Sequence, residues 1–262
     1  MEHYGFCNLS VIPVRAEASD RSEMVNQLLF GETFGIVDSF KSWKVVSGTL
    51  DNYQGFIDEK QFLPLDEAEY ARLNSLPAIF PQDLVSKVFD EKAGTAMIIF
   101  TGSNLAGIEN GKFVIGGRNY RFDGETFAPP KIINAGMLVD TAKLFLNSPY
   151  FWGGRSPSGI DCSGLVQVAY KIHGIPLNRD ASYQAQQGET LNLFSEAEKG
   201  DLAFFDNEDG IITHVGIIAD EGKIIHSSGQ VRIDRIDHHG IYNDSLQKYT
   251  HKLRLVKRVI DG

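Results

Sequence analysis

The stretch SPYFWGGRSPSGIDCSGLVQVAYKIHG, residues 148–174, places one of only two cysteines directly before an apolar run with helical spacing. Gly174 is placed to end that helix. Cys162 therefore lies at or just inside the N-terminus of the helix, next to Asp161, where unpaired N–H groups and the helix dipole stabilise negative charge. This position favours the thiolate, which is the nucleophilic form. A small buried structural cysteine is the alternative.

Two histidines downstream offer a base and an orienting group for such a nucleophile. His214 opens the predicted strand HVGIIAD, and His226 lies in the next predicted strand, IIHSSG. A cysteine nucleophile needs a base, and the base needs a partner that orients it. The sequence therefore predicts that Cys162, His214 and His226 act together.

The loop between the two predicted strands decides whether their histidines meet. A three-residue loop, Asp220–Gly222, with its glycine left-handed would set His226 opposite Gly216 and diagonal to His214. Diagonal neighbours lie within reach of a hydrogen bond between imidazoles. The residues that flank the loop would then pair, Ala219 with Lys223. A loop with an even number of residues would put the rings on opposite faces, so this prediction depends on loop length.

A zinc site is the competing interpretation of the same three side chains, since cysteine and histidine are ordinary zinc ligands. Cys162 and His214 are far apart in sequence, and no Cys-x-x-Cys or His-x-x-x-His cluster accompanies them. We therefore predict no metal site, and the cysteine mechanism implied by the resemblance described below requires no cofactor. His238 and His239, in a polar segment, are expected to be solvated loop residues, and Cys7 is expected to be a buried strand residue.

Composition and charge exclude some classes of function. The chain has 262 residues, a formal net charge of -9 and a pI near 5.3. An acidic chain without clustered basic residues argues against a nucleic-acid partner. The longest apolar runs, such as Ala96–Phe100, are too short to span a membrane. The N-terminus lacks the features of a signal peptide, so a cytoplasmic location is expected if Met1 is the natural start; a longer natural N-terminus with an export signal stays open.

The pattern of strands and helices predicts three segments. Residues 1–64 show short alternating strands with glycine turns, typical of a small barrel or sandwich. Residues 65–130 contain a connecting helix at Leu65–Leu73 and then a second small β unit. In residues 131–262, one helix bearing the cysteine and a following antiparallel sheet predict an α+β domain.

The motifs PYFWGG, DCSGLVQ, GDLAFF, THVGI and IIHSSG, in this order, resemble those of the NlpC-type papain-like cysteine peptidases, which cleave bacterial cell-wall peptides. The resemblance covers about Leu138 to Ile260. The earlier VIPVRAEASDRSEMVNQLLFGE, followed by SWKVV and GFI, resembles the bacterial SH3-type barrels that precede this domain in γ-D-glutamyl-L-diamino-acid endopeptidases. Whether the middle unit is a second, diverged barrel stays open.

The resemblance implies a role for each matching residue. Cys162 would be the nucleophile, His214 the general base and acid, and His226 the residue that orients His214. The tyrosine of the PYFWGG segment, Tyr150, would lie beside the nucleophile with its hydroxyl near the developing oxyanion. Trp152 would wall the cleft. Core packing is the alternative for both aromatic side chains.

The resemblance also implies a substrate, a murein peptide with a free N-terminal L-Ala, a γ-linked D-Glu and a diamino acid. Backbone N–H groups and the Ser163 hydroxyl at the helix start are expected to hold the free α-carboxylate of D-Glu. Asp161 is expected to accept the L-Ala amine, with Asp180 in a similar role, although Asp161 could also be a helix N-cap. Tyr53 is expected to close the pocket around the amine.

The sequence thus predicts a cysteine endopeptidase acting on the γ-D-glutamyl-L-diamino-acid bond of free peptides such as L-Ala-γ-D-Glu-meso-diaminopimelate, in cell-wall recycling. One alternative is an amidase or acyltransferase of the same fold that acts on another acyl substrate. Another is a catalytically silent protein whose barrels bind cell-wall material. An amine pocket formed by Tyr53 and Asp161 distinguishes the first prediction from the other enzymes.

Overall fold

In the computed structural model, which describes residues 3–260, the chain forms two compact units. The N-terminal unit comprises the residues up to Pro129 together with Trp152–Ser156. The C-terminal unit comprises Pro130–Phe151 and the residues from Pro157 onward. The predicted limits at 64/65 and 130/131 stay predictions.

The first part of the N-terminal unit is a seven-stranded antiparallel sheet with the order β3-β2-β6-β5-β4-β1-β7. Cys7 is fully buried, as predicted, but it lies directly after the first strand and not within it, and its thiol shares one hydrogen between the backbone carbonyls of Leu9 and Leu28. The assignment of this sheet as an SH3-type barrel stays a prediction. The strands are β1 (Tyr4–Phe6), β2 (Val11–Arg15), β3 (Met24–Leu29), β4 (Thr33–Phe40), β5 (Trp43–Gly48), β6 (Gln54–Asp58) and β7 (Leu63–Leu65), with a 3₁₀ turn at Glu59–Gln61.

The second part of the N-terminal unit begins with helix α1 (Glu67–Ser75). The helix starts two residues later than predicted because Asp66 is its N-cap and accepts a hydrogen bond from the Glu69 N–H at 2.7 Å. The strands that follow form a four-stranded sheet, β10-β9-β12-β11, and a two-stranded sheet, β8-β13. They are β8 (Phe80–Pro81), β9 (Val85–Asp90), β10 (Thr95–Phe100), β11 (Lys112–Ile115), β12 (Arg118–Phe122) and β13 (Thr126–Phe127).

The two parts of the N-terminal unit share one hydrophobic core. Phe30, at the end of β3, packs edge-on against Tyr120 and Phe113 of the four-stranded sheet, with ring centroids 5.5 and 6.3 Å apart. Phe6 of the first sheet belongs to the same buried cluster. Residues predicted to form two small units therefore bury their apolar faces together.

Trp152–Ser156, including the short strand β14 (Arg155–Ser156), is anchored within the N-terminal unit by an ion pair. The Arg155 guanidinium donates two hydrogen bonds of 2.8 Å to the Glu32 carboxylate and one of 2.7 Å to the backbone carbonyl of Gln27. Both charged side chains are buried. Because a buried charge is costly without its partner, this pair fixes the segment strongly in place.

The C-terminal unit is α+β, as the sequence predicts: helix α3, which begins with Cys162, packs on strands of an antiparallel sheet. The sheet order is β16-β22-β17-β18-β19-β20-β21, and an added β21–β22 pairing closes six of these strands into a barrel. No helix among residues 3–260 has the length and apolar character to cross a bilayer. The elements are α2 (Ala135–Lys143), β15 (Gly159–Ile160), α3 (Cys162–Ile172), α4 (Ala181–Gln184), β16 (Glu189–Thr190), a 3₁₀ turn (Phe194–Glu196), β17 (Leu202–Asp206), β18 (Ile212–Asp220), β19 (Lys223–Ser228), β20 (Gln230–Asp237), β21 (Gly240–Asn243) and β22 (Lys248–Arg258).

The hairpin of β18 and β19 brings the histidines together by a different route from the predicted one. His226 does lie opposite Gly216, as predicted. The predicted pairing of Ala219 with Lys223 is wrong, because Lys223 pairs with Asp220 and the register shifts between Ile218 and Asp220. The loop is thus shorter and even-numbered, and a bulge at Ala219 restores the face on which both histidines lie.

Candidate active site

Cys162 is the first residue of α3 and is almost fully buried. Its N-cap is Asp161, whose Oδ1 accepts a hydrogen bond of 2.7 Å from the Gly164 N–H. The backbone N–H groups of Val215 and Ser163 donate to the Cys162 sulfur. Since Val215 directly follows His214, the sulfur lies against the strand that carries the predicted base.

The protonation of Cys162 differs from the sequence prediction. Burial, assisted by the negative charge of Asp161, raises the pKa of the thiol to about 12, and the two N–H groups and Arg179 oppose this only in part. The favoured thiolate predicted from the helix terminus is therefore wrong for the unliganded protein. The helix-end effect is worth only ~0.3–1 kcal/mol at exposed sites, and full desolvation of the sulfur outweighs it.

His214 and His226 form a direct, buried hydrogen bond. The distance between His214 Nε2 and His226 Nδ1 is 2.9 Å, and the rings are nearly perpendicular. Burial, together with the neighbouring His226 and His251, lowers the pKa of His214 well below its usual value. His214 is therefore neutral at neutral pH, and one of its two ring nitrogens is unprotonated.

Asp234 on β20 continues this chain of contacts and was not predicted. The distance between His226 Nε2 and Asp234 Oδ2 is 2.9 Å, and the Arg232 guanidinium donates to Asp234 Oδ1 at 2.8 Å. Arg232 is the cross-strand partner of His226. Asp234 lies two positions after Arg232 and therefore on the same face of the strand as Arg232. The period-two pattern of VRIDRID could have indicated that Asp234 lies near His226.

A third histidine, also not predicted, lies against the candidate base. The His251 ring stacks on the His214 ring with centroids 4.2 Å apart and an interplanar angle of 26°. Burial and the nearby His226 lower the pKa of His251 to about 4. His251 is therefore neutral at neutral pH and covers one face of the candidate base. His238 and His239, by contrast, are exposed turn residues, as predicted.

Asp161, Ser163 and Arg179 form a second buried cluster at the start of α3. Arg179 donates to both Asp161 oxygens at 3.0 and 2.6 Å, and to Ser163 Oγ at 2.9 Å. The N-cap interpretation of Asp161 is confirmed. Arg179 was not predicted as a site residue, because only the fold brings it to the helix start.

The other predicted site residues lie in several places. Tyr150 is half-buried, and burial, followed by the nearby Cys162 and Asp161, raises the pKa of its phenol, so the phenol stays protonated. Asp180 is half-buried directly before α4. Trp152, exposed, and Tyr53, half-buried, belong to the N-terminal unit. The functional roles of these residues stay predictions.

The described part of the chain, residues 3–260, contains no group of three or more His, Cys, Asp or Glu side chains placed to hold a metal ion. His214 and His226 share a direct hydrogen bond, and the Cys162 sulfur accepts from the backbone amide next to His214. Such an arrangement can activate a thiol for attack on an acyl group.

Sequence comparison relates the C-terminal part of the chain to known proteins. The profile of the NlpC/P60 family matches residues 147–254. A γ-D-glutamyl-L-lysine dipeptidyl-peptidase of Bacillus subtilis is 41% identical over 92 residues, which are 34% of this chain and 31% of that protein. The chain thus spans about a third of the length of this relative. A dipeptidyl-peptidase 6 of Lysinibacillus sphaericus is 24% identical over 257 residues, 88% of this chain and 91% of that protein.

Structural comparison covers both units. An NlpC/P60 family protein from Bacillus cereus superposes with a TM-score of 0.83 at 19% identity, over 98% of this chain and 100% of that one. An NlpC/P60 endopeptidase from Photobacterium damselae gives a TM-score of 0.74 at 16% identity, over 97% of this chain and 70% of that one. At these identities the likeness shows a shared fold.

Proposed function

Because residues 147–254 form an NlpC/P60 domain, we propose that the protein is a cysteine endopeptidase that hydrolyses the γ-D-glutamyl-L-diamino-acid bond of free murein peptides. One structural relation carries this proposal. The Cys162 sulfur lies against the backbone amide of Val215, the residue directly after His214, and His214 Nε2 is hydrogen-bonded to His226 Nδ1 at 2.9 Å. A nucleophile, a base and an orienting group therefore occur in the order that acyl transfer needs.

Acylation begins from neutral groups. His214 takes the thiol proton as the Cys162 sulfur attacks the γ-glutamyl carbonyl, because the high pKa of the thiol keeps it protonated until then. The negative charge moves to the carbonyl oxygen, where the protonated Tyr150 hydroxyl and a backbone N–H of the helix start are the proposed donors. His214 then gives its proton to the leaving amine of the diamino acid, and a thioester to Cys162 remains.

Deacylation uses the same groups in reverse. His214, again neutral, removes a proton from water as the water attacks the thioester carbonyl. The sulfur leaves and recovers its proton from His214, which releases the L-Ala-D-Glu acid. Burial favours the neutral forms of both Cys162 and His214, so each cycle ends in the state in which it began.

The choice of substrate rests on the named relatives and on the helix start. The Bacillus subtilis and Lysinibacillus sphaericus relatives are named dipeptidyl-peptidases, the first for a γ-D-glutamyl-L-lysine bond. We assign the D-Glu α-carboxylate to the N–H groups and the Ser163 hydroxyl at the start of α3, and the L-Ala amine to Asp161 and Asp180. Asp161 already bonds Arg179, so a bound amine would join an existing ion pair.

The N-terminal unit is proposed to select the substrate. The resemblance of its first sheet to SH3-type barrels suggests that Tyr53 closes the pocket around the free amine, with Trp152 walling the cleft. The relative from Lysinibacillus sphaericus, which aligns over 88% of this chain, supports a function that uses both units. The enzyme would then act on peptides freed from the glycan, as in wall recycling.

The test is hydrolysis of L-Ala-γ-D-Glu-meso-diaminopimelate and of its L-Lys counterpart, followed by mass spectrometry. Wild-type protein should release L-Ala-D-Glu, and Cys162→Ala should lower the rate by on the order of 10⁴-fold or more, because the covalent route is lost. Cys7→Ala is the matched control, since that cysteine is buried in the other unit. It should retain turnover.

A second comparison in the same assay tests the closed pocket. Acetylation of the L-Ala amine should abolish turnover, because the amide can no longer donate as a cation to a carboxylate. Undiminished cleavage of the acetylated peptide would contradict the pocket. Absence of hydrolysis with every peptide would shift the assignment to an amidase or acyltransferase, or, if murein binds without turnover, to a binding protein.

A further inference from the structure

We infer that Asp234 is a positioning residue of this site: it fixes the proton of His226 on Nε2, and thereby leaves Nδ1 of His214 unprotonated and ready to accept the thiol proton. The inference rests on the proposed cysteine chemistry and adds a fourth member to the chain of Cys162, His214 and His226. Asp234 contacts His226 and Arg232, and it would act on the base only through the two imidazoles.

The hydrogen-bond pattern determines each proton in turn. An ionised carboxylate only accepts, so the 2.9 Å contact with Asp234 requires a proton on His226 Nε2. A neutral imidazole has one donor and one acceptor, so His226 Nδ1 must accept. The 2.9 Å contact with His214 then requires a proton on His214 Nε2. The remaining nitrogen, His214 Nδ1, keeps its lone pair.

Arg232 supports this arrangement from the other side of the carboxylate. Its Nε lies 2.7 Å from Asp234 Oδ2, and one of its terminal nitrogens donates to Oδ1 at 2.8 Å. Burial alone would raise the pKa of Asp234, but the hydrogen bonds from His226 and Arg232 outweigh it and lower the pKa. Asp234 is therefore ionised at neutral pH and acts purely as an acceptor.

Several titratable and charged side chains surround His226. The groups that face His226 are His214, His251, Asp234 and Arg232. A doubly protonated His226 would donate from Nδ1 to His214 Nε2 and force the single proton of His214 onto Nδ1, where it would block the base. The proposed proton positions therefore require the neutral form of His226.

Water cannot easily replace the carboxylate. His226 is 1% exposed and Asp234 is 9% exposed, so the contact between them is closed to solvent. Loss of the carboxylate would leave the His226 Nε2–H without a defined acceptor. Removal of the outer partner of a metal-bound histidine typically changes activity ~10–100-fold, and we expect an effect of the same size on this histidine pair.

The test is Asp234→Asn, which keeps the shape of the side chain but lets the amide either accept or donate. The readout is the rate of Cys162 alkylation by iodoacetamide from about pH 7 to about pH 9, which needs no murein peptide. In this range, proton transfer to neutral His214 gives a rate component that is independent of pH, whereas free thiolate gives one that rises with pH. We expect the pH-independent component in wild-type protein and none in His214→Ala.

Asp234→Asn should reduce this component by about 10–100-fold while the component that rises with pH is unchanged. Asp237→Asn is the matched control, because Asp237 lies on the same strand and bonds only Tyr249 and its own turn. It should leave both components unchanged. Equal rates for the two variants, or equal rates for wild type and His214→Ala, would overturn the inference.

The proposed function can fail separately. If the wild-type protein hydrolyses no murein peptide but shows the His214-dependent component, the substrate assignment falls and the role of Asp234 is still decided by alkylation. If Asp234→Asn does not fold, ¹⁵N NMR of wild-type protein labelled at histidine decides. A proton on His226 Nε2 supports the inference, and a proton on His226 Nδ1 overturns it.

Discussion

Asp161 and Asp234 are both buried carboxylates that accept from an arginine, yet their remaining partners differ. Asp161 bonds the nearly buried Arg179 and a backbone N–H of α3, so its contacts hold the start of the helix. Asp234 contacts both Arg232 and the imidazole of His226. The first carboxylate stabilises the backbone around the nucleophile, whereas the second reaches the groups that move protons.

Arg179→Met should produce the largest effect, and the effect should be on stability. The change leaves the Asp161 carboxylate buried without its counter-charge, so we expect a loss of about 3–5 kcal/mol in the free energy of unfolding. Urea unfolding followed by circular dichroism measures it. Lys143→Met, which removes an exposed pair with Asp140, should cost less than about 1 kcal/mol. Similar losses of unfolding free energy for both variants would mean that the buried cluster at the helix start stabilises the protein no more than an exposed ion pair does.

Gly216→Ala should displace His226 and should chiefly lower turnover. An added Cβ would lie 2.9 Å from His226 Cβ and 2.6 Å from Ile224 Cδ1, so His226 must move. A displacement of about 1 Å in such a group lowers rates by about 10²-fold. Steady-state hydrolysis of the tripeptide measures the loss. Gly35→Ala, where the space is open, is the control, and equal turnover in the two variants would show that the position of His226 is unimportant.

Direct titration of Cys162 tests how Asp161 affects the nucleophile, because burial and then the charge of Asp161 both oppose ionisation of the thiol. With a pKa of about 12, the thiol should give no thiolate absorbance between about pH 6 and about pH 9. The measurement is the ultraviolet difference between wild-type protein and Cys162→Ala. A full thiolate signal at neutral pH would instead show a thiolate–imidazolium pair in the resting protein.

The smallest effect is expected at His251, through the pH dependence of stability. Its pKa is lowered from 6.5 to about 4 on folding, so the unfolded chain binds the extra proton first as the pH falls. Stability is therefore present above about pH 6.5 and is lost progressively toward about pH 4. His251→Phe keeps a ring on His214 and removes this loss. Tm should fall less in the variant than in wild type between about pH 7 and about pH 5, and an equal fall would contradict the assignment.

Short-range sequence signals predicted much of the C-terminal unit. The helix start at Cys162, the N-cap at Asp161 and the pairing of His226 with Gly216 are confirmed. These features follow from spacing, capping and the period of a strand. The two histidines lie on one face of the hairpin, as predicted, but for a reason that the sequence did not reveal. The loop is even-numbered, and the bulge at Ala219 compensates for it.

Three residues of the candidate site were not predicted from the sequence, and for the same physical reason. Arg179, Asp234 and His251 reach the site only through long-range packing and strand pairing, which no local pattern encodes. The protonation of Cys162 was predicted wrongly for a related reason. A helix terminus is visible in the sequence, but the burial that raises the thiol pKa is a property of the folded unit.

The most direct test of the account is labelling with the chloromethyl ketone of L-Ala-γ-D-Glu, in which the reactive group replaces the diamino acid. The account predicts one label per chain, located on Cys162 by tandem mass spectrometry, with Cys7 unmodified and labelling strongly reduced in His214→Ala. Labelling of Cys7, or no labelling of a folded protein, would contradict the assignment of Cys162 and His214 as a nucleophile and base for γ-D-glutamyl peptides.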